Sequence, residues 1–234
     1  MLGAAREDGV KLCSSHNCLF KPSIAKVRQL VESGAIGQVV HVDSYYGLAG
    51  EGGSYGGSSR SHWAWRLPGG VFTNFMPHLI YLQLAFLQTV DSVDGVGMAP
   101  VGHSGVPATG LTVLLQGTNG SGVMTVSMRA KPYAKFVDIY GTKGIIHADL
   151  VRKVCTISKD WRLSRMLSKA ILNLEDSIQL AWGTLASIAE VLVGSLKNMP
   201  GLHALILEFY ASILNDQEPP VSGEEERRWL RSWR

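Results

Sequence analysis

The fold class can be inferred from residues 109–130, which read TGLTVLLQGTNGSGVMTVSMRA. Apolar and β-branched residues alternate with small or polar ones in TGLTVLLQ and in GVMTVSMRA, the pattern of two β-strands. The segment GTNGSG between them has the glycine and asparagine residues of a hairpin turn. Strands joined by so short a turn pair antiparallel, because parallel neighbours need a long crossover.

Further strands and helices are predicted around this hairpin. Strand patterns occur in residues 38–47, 135–142 and 144–150, and the last two are joined by a second tight reversal at KGI. Helical patterns occur near residues 24–33, after a predicted cap at Ser23, and near residues 67–87, 161–197 and 201–215. The sequence therefore predicts an α+β fold, an open and mostly antiparallel sheet with helices packed on one face.

Composition narrows the class of protein. The chain has 234 residues, of which 46% are hydrophobic and 18% charged, and a net charge of +3. This mild and scattered positive charge does not indicate a nucleic-acid partner. The three cysteines are too few for a disulfide framework, and the N-terminus lacks a signal-peptide pattern, so we expect a cytoplasmic protein. The longest apolar stretch, residues 177–196, contains Gln179 and Glu190, which favours an amphipathic helix over a membrane span.

Residues 67–87, LPGGVFTNFMPHLIYLQLAFL, place two polar residues in an apolar helix. Asn74 and His78 are four apart, so both lie on one helix face. Asn74 is predicted to cap the helix, with Pro77 in the first turn and His78 one turn in. Histidine suits a general base because its pKa lies near neutral pH. The alternative is structural: Asn74 as a cap only and His78 as a core histidine.

Two other patterns resemble binding motifs. GVGMAP, residues 95–100, approaches the dinucleotide fingerprint, but no helix pattern follows, so we interpret it as a loop or strand edge. Cys13, His16 and Cys18 match no common zinc spacing. The sequence predicts no metal site.

Four ordered segments carry a family resemblance: residues 16–47, 62–81, 137–150 and 219–228. Together they resemble the glucose–fructose oxidoreductase / inositol dehydrogenase / MocA family (Gfo/Idh/MocA). That family has an N-terminal Rossmann domain for NAD(P) and a C-terminal α/β domain for substrate binding and oligomerisation. The resemblance implies that residues 1–20 are a remnant of the first domain, with its last strand at residues 9–17, and that 21–234 form the second domain.

The resemblance also implies site residues. The family's signature of glycines, acid and histidine falls on Gly69, Gly70, Asn74 and His78, and its final acid falls on Tyr81. His78 and Asn74 are then the candidate catalytic residues. The candidate substrate-binding residues are Tyr46, Trp63, Trp65 and Arg66, although the last three could equally be core aromatics and a surface arginine. The candidate cofactor-binding residues are Asn17 and Phe20, for which the alternative is that they only end a strand.

The expected function follows from the resemblance. It is the C-terminal catalytic and substrate domain of an oxidoreductase that uses NAD or NADP on a sugar- or polyol-like CH–OH group. The chain would be truncated and inactive alone, and would form a homo-oligomer through the open sheet, with no nucleic-acid or membrane partner. The alternative is a non-enzymatic oligomerisation or ligand-binding module derived from that family.

Overall fold

The computed structural model describes residues 1–48, 63–98, 108–161, 164–193, 199–224 and 227. The helices within these ranges are α1 (Leu2–Glu7), α2 (Pro22–Glu32), α3 (Phe72–Leu84), α4 (Arg165–Leu192) and α5 (Pro200–Leu214). Two 3₁₀ helices cover Asn17–Phe20 and Trp63–Arg66. The strands are β1 (Val39–Gly47), β2 (Ser92–Met98), β3 (Gly110–Gly117), β4 (Gly120–Ser127), β5 (Ala134–Gly141), β6 (Gly144–Asp149) and β7 (Val154–Lys159).

The seven strands form one open sheet in the order β2-β3-β4-β1-β5-β6-β7. The predicted hairpin is confirmed as β3–β4, in which Gly117 pairs with Gly120 across the turn. The second predicted reversal is confirmed as β5–β6. Every neighbouring pair is antiparallel except β1–β4, which is parallel because β1 inserts between the two hairpins. The α+β class and the mostly antiparallel sheet are therefore confirmed.

The helices cover one face of the sheet, as predicted. In β1 the side chains of Val42, Ser44 and Tyr46 are buried, whereas His41 and Asp43 on the opposite face are half-exposed. This is the two-residue alternation of a sheet with one packed face. Helix α3 contacts β1 and β4, and α2 contacts β6 and β7.

Gln83 fixes α3 to the centre of the sheet. Its side chain is fully buried, and Nε2 lies 2.9 Å from the Val42 carbonyl and 2.8 Å from the Val123 carbonyl. A Cβ atom at position 122 would clash with Gln83 Oε1, so the glycine at this position provides the space for the Gln83 amide. A buried amide held in this way sets the position of the helix that carries His78.

The predicted C-terminal helices are confirmed as α4 and α5. Helix α4 lies along the edge strand β7, where the Gln179 side-chain amide accepts from the Ile157 N–H and donates to the Ile157 carbonyl, both at 2.9 Å. This pairing satisfies edge-strand groups that would otherwise be open to another chain. No helix in the described ranges combines the length and the apolar character needed to cross a membrane.

The strand predicted over residues 9–17 is not formed. Within the described residues this segment makes one isolated antiparallel bridge, Cys13 with Ser222, and the Ser14 N–H donates to the Val221 carbonyl at 3.0 Å. An extended segment becomes a strand only with a neighbour along its length, and here the described residues pair with it at one point. The assignment of residues 1–20 to a dinucleotide-binding domain remains a prediction.

Candidate functional site

Helix α3 begins at Phe72, before the predicted cap at Asn74. Gly69 and Gly70 have φ of 80° and 65°, which suit glycine, and they turn the chain so that the helix starts at Phe72 with Val71 as its cap. Asn74 therefore lies inside the first turn, and the prediction that it caps the helix is wrong. Pro77 lies within the helix, and His78 is nearly two turns from its start.

His78 begins a chain of hydrogen bonds that enters the core. Its Nδ1 atom lies 2.8 Å from the Tyr81 hydroxyl, one helical turn further on. The Tyr81 hydroxyl lies 3.3 Å from Asn17 Oδ1 and accepts a bond from the Cys18 backbone N–H at 3.2 Å. Tyr81 is 2% exposed, and the His16 ring stacks on it at 4.4 Å. The 3₁₀ helix Asn17–Phe20 and α3 are thus joined through one phenol.

The direction of these bonds favours one tautomer of His78. A phenol has one proton to donate, and the amide oxygen of Asn17 can only accept. If Tyr81 donates to Asn17, His78 must donate from Nδ1 to Tyr81. In a neutral ring with its proton on Nδ1, Nε2 keeps a lone pair that can accept a proton.

A buried thiol and a buried amine lie beside this chain. Cys18 is 3% exposed and Lys135 is 4% exposed, and Lys135 Nζ lies 3.2 Å from Cys18 Sγ. Burial raises the pKa of the Cys18 thiol. Hydrogen bonding by His78, the charge of Lys135 and the Tyr81 hydroxyl outweigh burial, and the Cys18 pKa falls to about 6.

The resulting charges are compensated within the cluster. The lowered pKa of Cys18 favours a thiolate, which would form a buried ion pair with the Lys135 ammonium 3.2 Å away. The Lys135 ammonium also lies 4.1 Å from the centre of the Tyr46 ring, where the ring face attracts a cation. Burial raises the pKa of Tyr81, and the charge of Cys18 raises it further, so the phenol stays neutral.

Aromatic rings form a wall next to His78. The Tyr46 and His78 rings meet edge to face with centres 6.4 Å apart, and Phe75 packs on Tyr46 at 5.3 Å. The Tyr133 hydroxyl donates to the Tyr46 hydroxyl at 3.4 Å. The site thus combines a titratable ring, three phenols and a buried thiol–amine pair in one place.

The structure brings three of the predicted residues together: His78, Tyr46 and, through Tyr81, Asn17. Asn74 lies one turn before His78 on the same helix, half-buried. Phe20 packs against the hydrophobic core from the end of the 3₁₀ helix, and its part in cofactor binding remains a prediction.

The predicted residues before α3 have different environments. Trp63 is 57% exposed, Arg66 is exposed, and Trp65 packs against the core. The Trp65 indole N–H is buried without a hydrogen-bond partner in the described part of the chain. A buried donor of this kind is rare in native proteins and is suited to a ligand acceptor. The assignment of all three residues to substrate binding remains a prediction.

Sequence reasoning missed Cys18, Tyr133 and Lys135 as members of the site, and it placed Tyr81 at the final acid of the family signature without giving it a role. One signal was available for Lys135. It shares a strand face with Val137 and Ile139, both fully buried, so a lysine occupies an inward position of β5. No such signal exists for Cys18, because nothing in the local sequence shows that β5 brings an amine against it.

Two sequence patterns resemble binding motifs, one for a metal ion and one for the pyrophosphate of a dinucleotide. The described residues contain no cluster of three or more His, Cys, Asp or Glu side chains that could hold a metal ion. Gly95–Met98 of the GVGMAP segment lie in the exposed strand β2, whereas Ala99 and Pro100 lie outside the described residues. A dinucleotide needs a glycine-rich turn from a strand to a helix N-terminus, so the residues of this segment do not fit its pyrophosphate.

Comparison with known proteins agrees with this architecture. Residues 24–147, just over half of the chain, match the GFO/IDH/MocA C-terminal domain. No curated protein matches the sequence. Among solved structures, UDP-N-acetylglucosamine 3-dehydrogenase GnnA from Acidithiobacillus ferrooxidans has 17% identity and a TM-score of 0.66 and covers 99% of this chain. A probable dehydrogenase from Thermotoga maritima has 17% identity, a TM-score of 0.67 and the same coverage.

A third similar structure carries a bound dinucleotide. It is levoglucosan dehydrogenase in complex with NADH, with 17% identity, a TM-score of 0.58 and coverage of 70% of this chain. The chain spans 62% of the GnnA chain, 63% of the Thermotoga chain and 47% of the levoglucosan dehydrogenase chain. The sequence match and the shared fold together show that this chain belongs to the Gfo/Idh/MocA family and carries its C-terminal domain.

Proposed function

We propose that this chain is the substrate domain of an oxidoreductase that oxidises a CH–OH group of a sugar- or polyol-like compound. Its hydride acceptor is NAD or NADP, held by a dinucleotide-binding domain other than the described residues, and the chain is inactive without that domain. Family membership and the dehydrogenases with the same fold support the reaction class.

The hydrogen-bond chain from His78 to Asn17 is the observation that carries the proposal. Oxidation of an alcohol removes a proton as well as a hydride, and a neutral imidazole is suited to take the proton. Tyr81 and Asn17 hold the proton of His78 on Nδ1, which leaves Nε2 as the basic nitrogen of the ring. In this scheme Tyr81 orients the base in place of the acid that the family signature has there.

The nature of the site supports a hydroxyl-rich substrate. The buried Trp65 indole N–H lacks an acceptor in the described structure, and a substrate hydroxyl would supply one. Tyr46 is buried beside His78, with ring centres 6.4 Å apart, and supports the position of the imidazole rather than contacting a sugar ring. The names of GnnA and levoglucosan dehydrogenase, which both denote sugar dehydrogenases, agree with this class.

The proposal is tested by ligand binding to the 234-residue chain. Sugars, inositols and linear polyols are screened by ligand-observed NMR, and Trp65→Phe is compared with Trp161→Phe, whose indole N–H donates to Glu175 far along the chain. We expect one class to bind, and Trp65→Phe to weaken its binding about fivefold to tenfold through one lost hydrogen bond. Binding of none of these compounds would contradict the proposal.

Turnover separates an enzyme from a binding module. With the dinucleotide-binding domain supplied, His78→Gln should lower kcat about 10²- to 10⁴-fold, the usual contribution of a general base. The KM should change little, because glutamine still packs and hydrogen bonds. Equal kcat values for the variant and the natural chain would exclude His78 as the base.

A second candidate function, a non-enzymatic assembly module, is supported by the open face of the sheet. Leu114 and Ile145 are 51% and 42% exposed, and the Tyr45 and Phe136 rings stack side by side there at 5.2 Å. Exposed apolar side chains on a broad sheet are typical of a protein interface. We propose that a second copy covers this face. Light scattering should show a dimer or larger oligomer, and Leu114→Lys should dissociate it.

A further inference from the structure

A groove separate from the His78 site lies between α2, the β6–β7 turn and the middle of α4. Its volume is about 800 Å³, within the range of small-molecule sites. It shares no lining residue with the cluster around His78. Lys21 and Lys26 line one wall, Lys153 lines the β6–β7 turn, and Trp182 lines the wall formed by α4.

The lysines of this groove are held in place by the backbone. Lys21 Nζ donates to the Leu150 carbonyl at 3.1 Å, and Lys26 Nζ donates to the Cys155 carbonyl at 3.4 Å. Both carbonyls belong to the segment from the β6–β7 turn into β7. A carbonyl orients an ammonium without neutralising it, and each ammonium keeps two further N–H donors.

Positive charge exceeds negative charge in the groove. Glu190 is the carboxylate among the described lining residues, and it lies 3.5 Å from Lys153. Three lysines against one glutamate leave a net charge of +2 on the lining. Such a groove attracts a ligand with two negative charges, and lysine is a common phosphate ligand in proteins.

The opposite wall offers an aromatic face. Trp182 is 75% exposed although it faces a formed groove, and Ile178 beside it is 60% exposed. An exposed indole is a stacking surface for a flat ring, and base–aromatic stacking contributes measurably to nucleotide binding. A ligand that contacts both walls therefore needs a doubly charged anionic group and a planar ring.

We infer that this groove binds a nucleoside diphosphate, with the diphosphate at Lys21, Lys26 and Lys153 and the base stacked on Trp182. The site is independent of the proposed dehydrogenase chemistry, because it uses none of the residues assigned to it. Its ligand lies outside the sheet and its packed core, so the chain can bind it without rearrangement of the core.

The inference is tested by calorimetric titration of the 234-residue chain with ADP and UDP, with inorganic pyrophosphate and free uridine as separate probes. We expect saturable binding of the nucleotides, weaker binding of pyrophosphate and no binding of uridine. Lys26→Gln should weaken nucleotide and pyrophosphate binding about tenfold by loss of a charge-assisted hydrogen bond. Trp182→Leu should weaken only nucleotide binding.

A matched control is Lys169→Gln, an exposed lysine on α4 outside the groove lining, which should bind nucleotides as the natural chain does. Circular dichroism checks that each variant folds, and Lys26→Arg, which keeps the charge, replaces Lys26→Gln if that variant is unfolded and should retain binding. Absence of saturable nucleotide binding by the natural chain overturns the inference. Equal affinities of the natural chain, Lys26→Gln and Trp182→Leu also overturn it.

Discussion

Replacing Tyr81 with phenylalanine removes the hydroxyl that joins α3 to the 3₁₀ helix Asn17–Phe20, and the ring remains. That hydroxyl accepts from the Cys18 N–H at 3.2 Å, meets His78 Nδ1 at 2.8 Å and donates to Asn17 Oδ1 at 3.3 Å. In Tyr81→Phe the shape of the core is preserved, so the change isolates the hydrogen bonds from the packing.

The size of the stability loss depends on which hydrogen-bond partners of the Tyr81 hydroxyl stay buried and unpaired. His78 and Asn17 are not fully enclosed, and both can bond to water after the change. The Cys18 N–H lies in a residue that is 3% exposed, so its donor stays unpaired. One buried unsatisfied group costs about 1–3 kcal/mol, and we expect Tyr81→Phe to lower the free energy of unfolding by about that amount.

The assay is urea denaturation followed by circular dichroism, with thermal unfolding as a second measurement. For a chain of this size each kcal/mol lowers Tm by about 2–4 °C. Tyr45→Phe is the matched control, because the Tyr45 ring stacks on Phe136 on the open face and its hydroxyl lies outside this cluster. A Tyr81→Phe variant as stable as Tyr45→Phe would refute the assigned hydrogen bonds.

Three further predictions concern charge and packing. The pKa of Cys18 is about 6 in the folded chain and ordinarily 9.0, so between these values the folded chain binds fewer protons than the unfolded chain. The free energy of unfolding should therefore fall as pH is lowered from about 9 to about 6. Cys18→Ser should lose this pH dependence in urea denaturation, and an unchanged dependence would contradict the prediction. A hydrogen bond to Asp138 raises the pKa of His147, an effect that outweighs burial, so its stabilisation is present at low pH and is lost as pH rises through the folded pKa. Asp138→Asn should lower the His147 pKa in an NMR titration, and a pKa that stays raised would count against this pairing. Gly122→Ala should lower the free energy of unfolding by about 1–3 kcal/mol, because the new methyl group meets Gln83, whereas Gly3→Ala has open space and should not; equal stabilities of the two variants would show that the amide gives way.

The antiparallel strand pairs were predictable because short stretches of sequence determine them. The alternation in residues 109–130 and the short turns determine which strands are neighbours and that they pair antiparallel. The parallel contact of β1 with β4 depends on how two distant segments meet, and no short pattern reports it. The strand predicted at residues 9–17 shows the same limit, since only a partner strand turns an extended segment into part of a sheet.

The site was predictable only in part. His78 was found because it is a polar residue in an apolar helix, and Tyr46 and Asn17 through the family resemblance. The start of α3 was misplaced because an asparagine cap and a glycine-directed turn are both compatible with the sequence, and Gly69 and Gly70 decide between them in the structure. The Cys18–Lys135 pair joins residues from opposite ends of the domain, so their contact is set by the tertiary fold.

In the proposed site, Tyr81 and Asn17 hold His78 with a proton on Nδ1 and a basic lone pair on Nε2. Nitrogen NMR of the His78 ring in the folded chain at neutral pH measures this directly, because protonated and bare ring nitrogens have different chemical shifts. We expect a protonated Nδ1 and a bare Nε2 in the natural chain, and a mixture of tautomers in Tyr81→Phe. A proton on Nε2 with Nδ1 bare, in the natural chain, would contradict it.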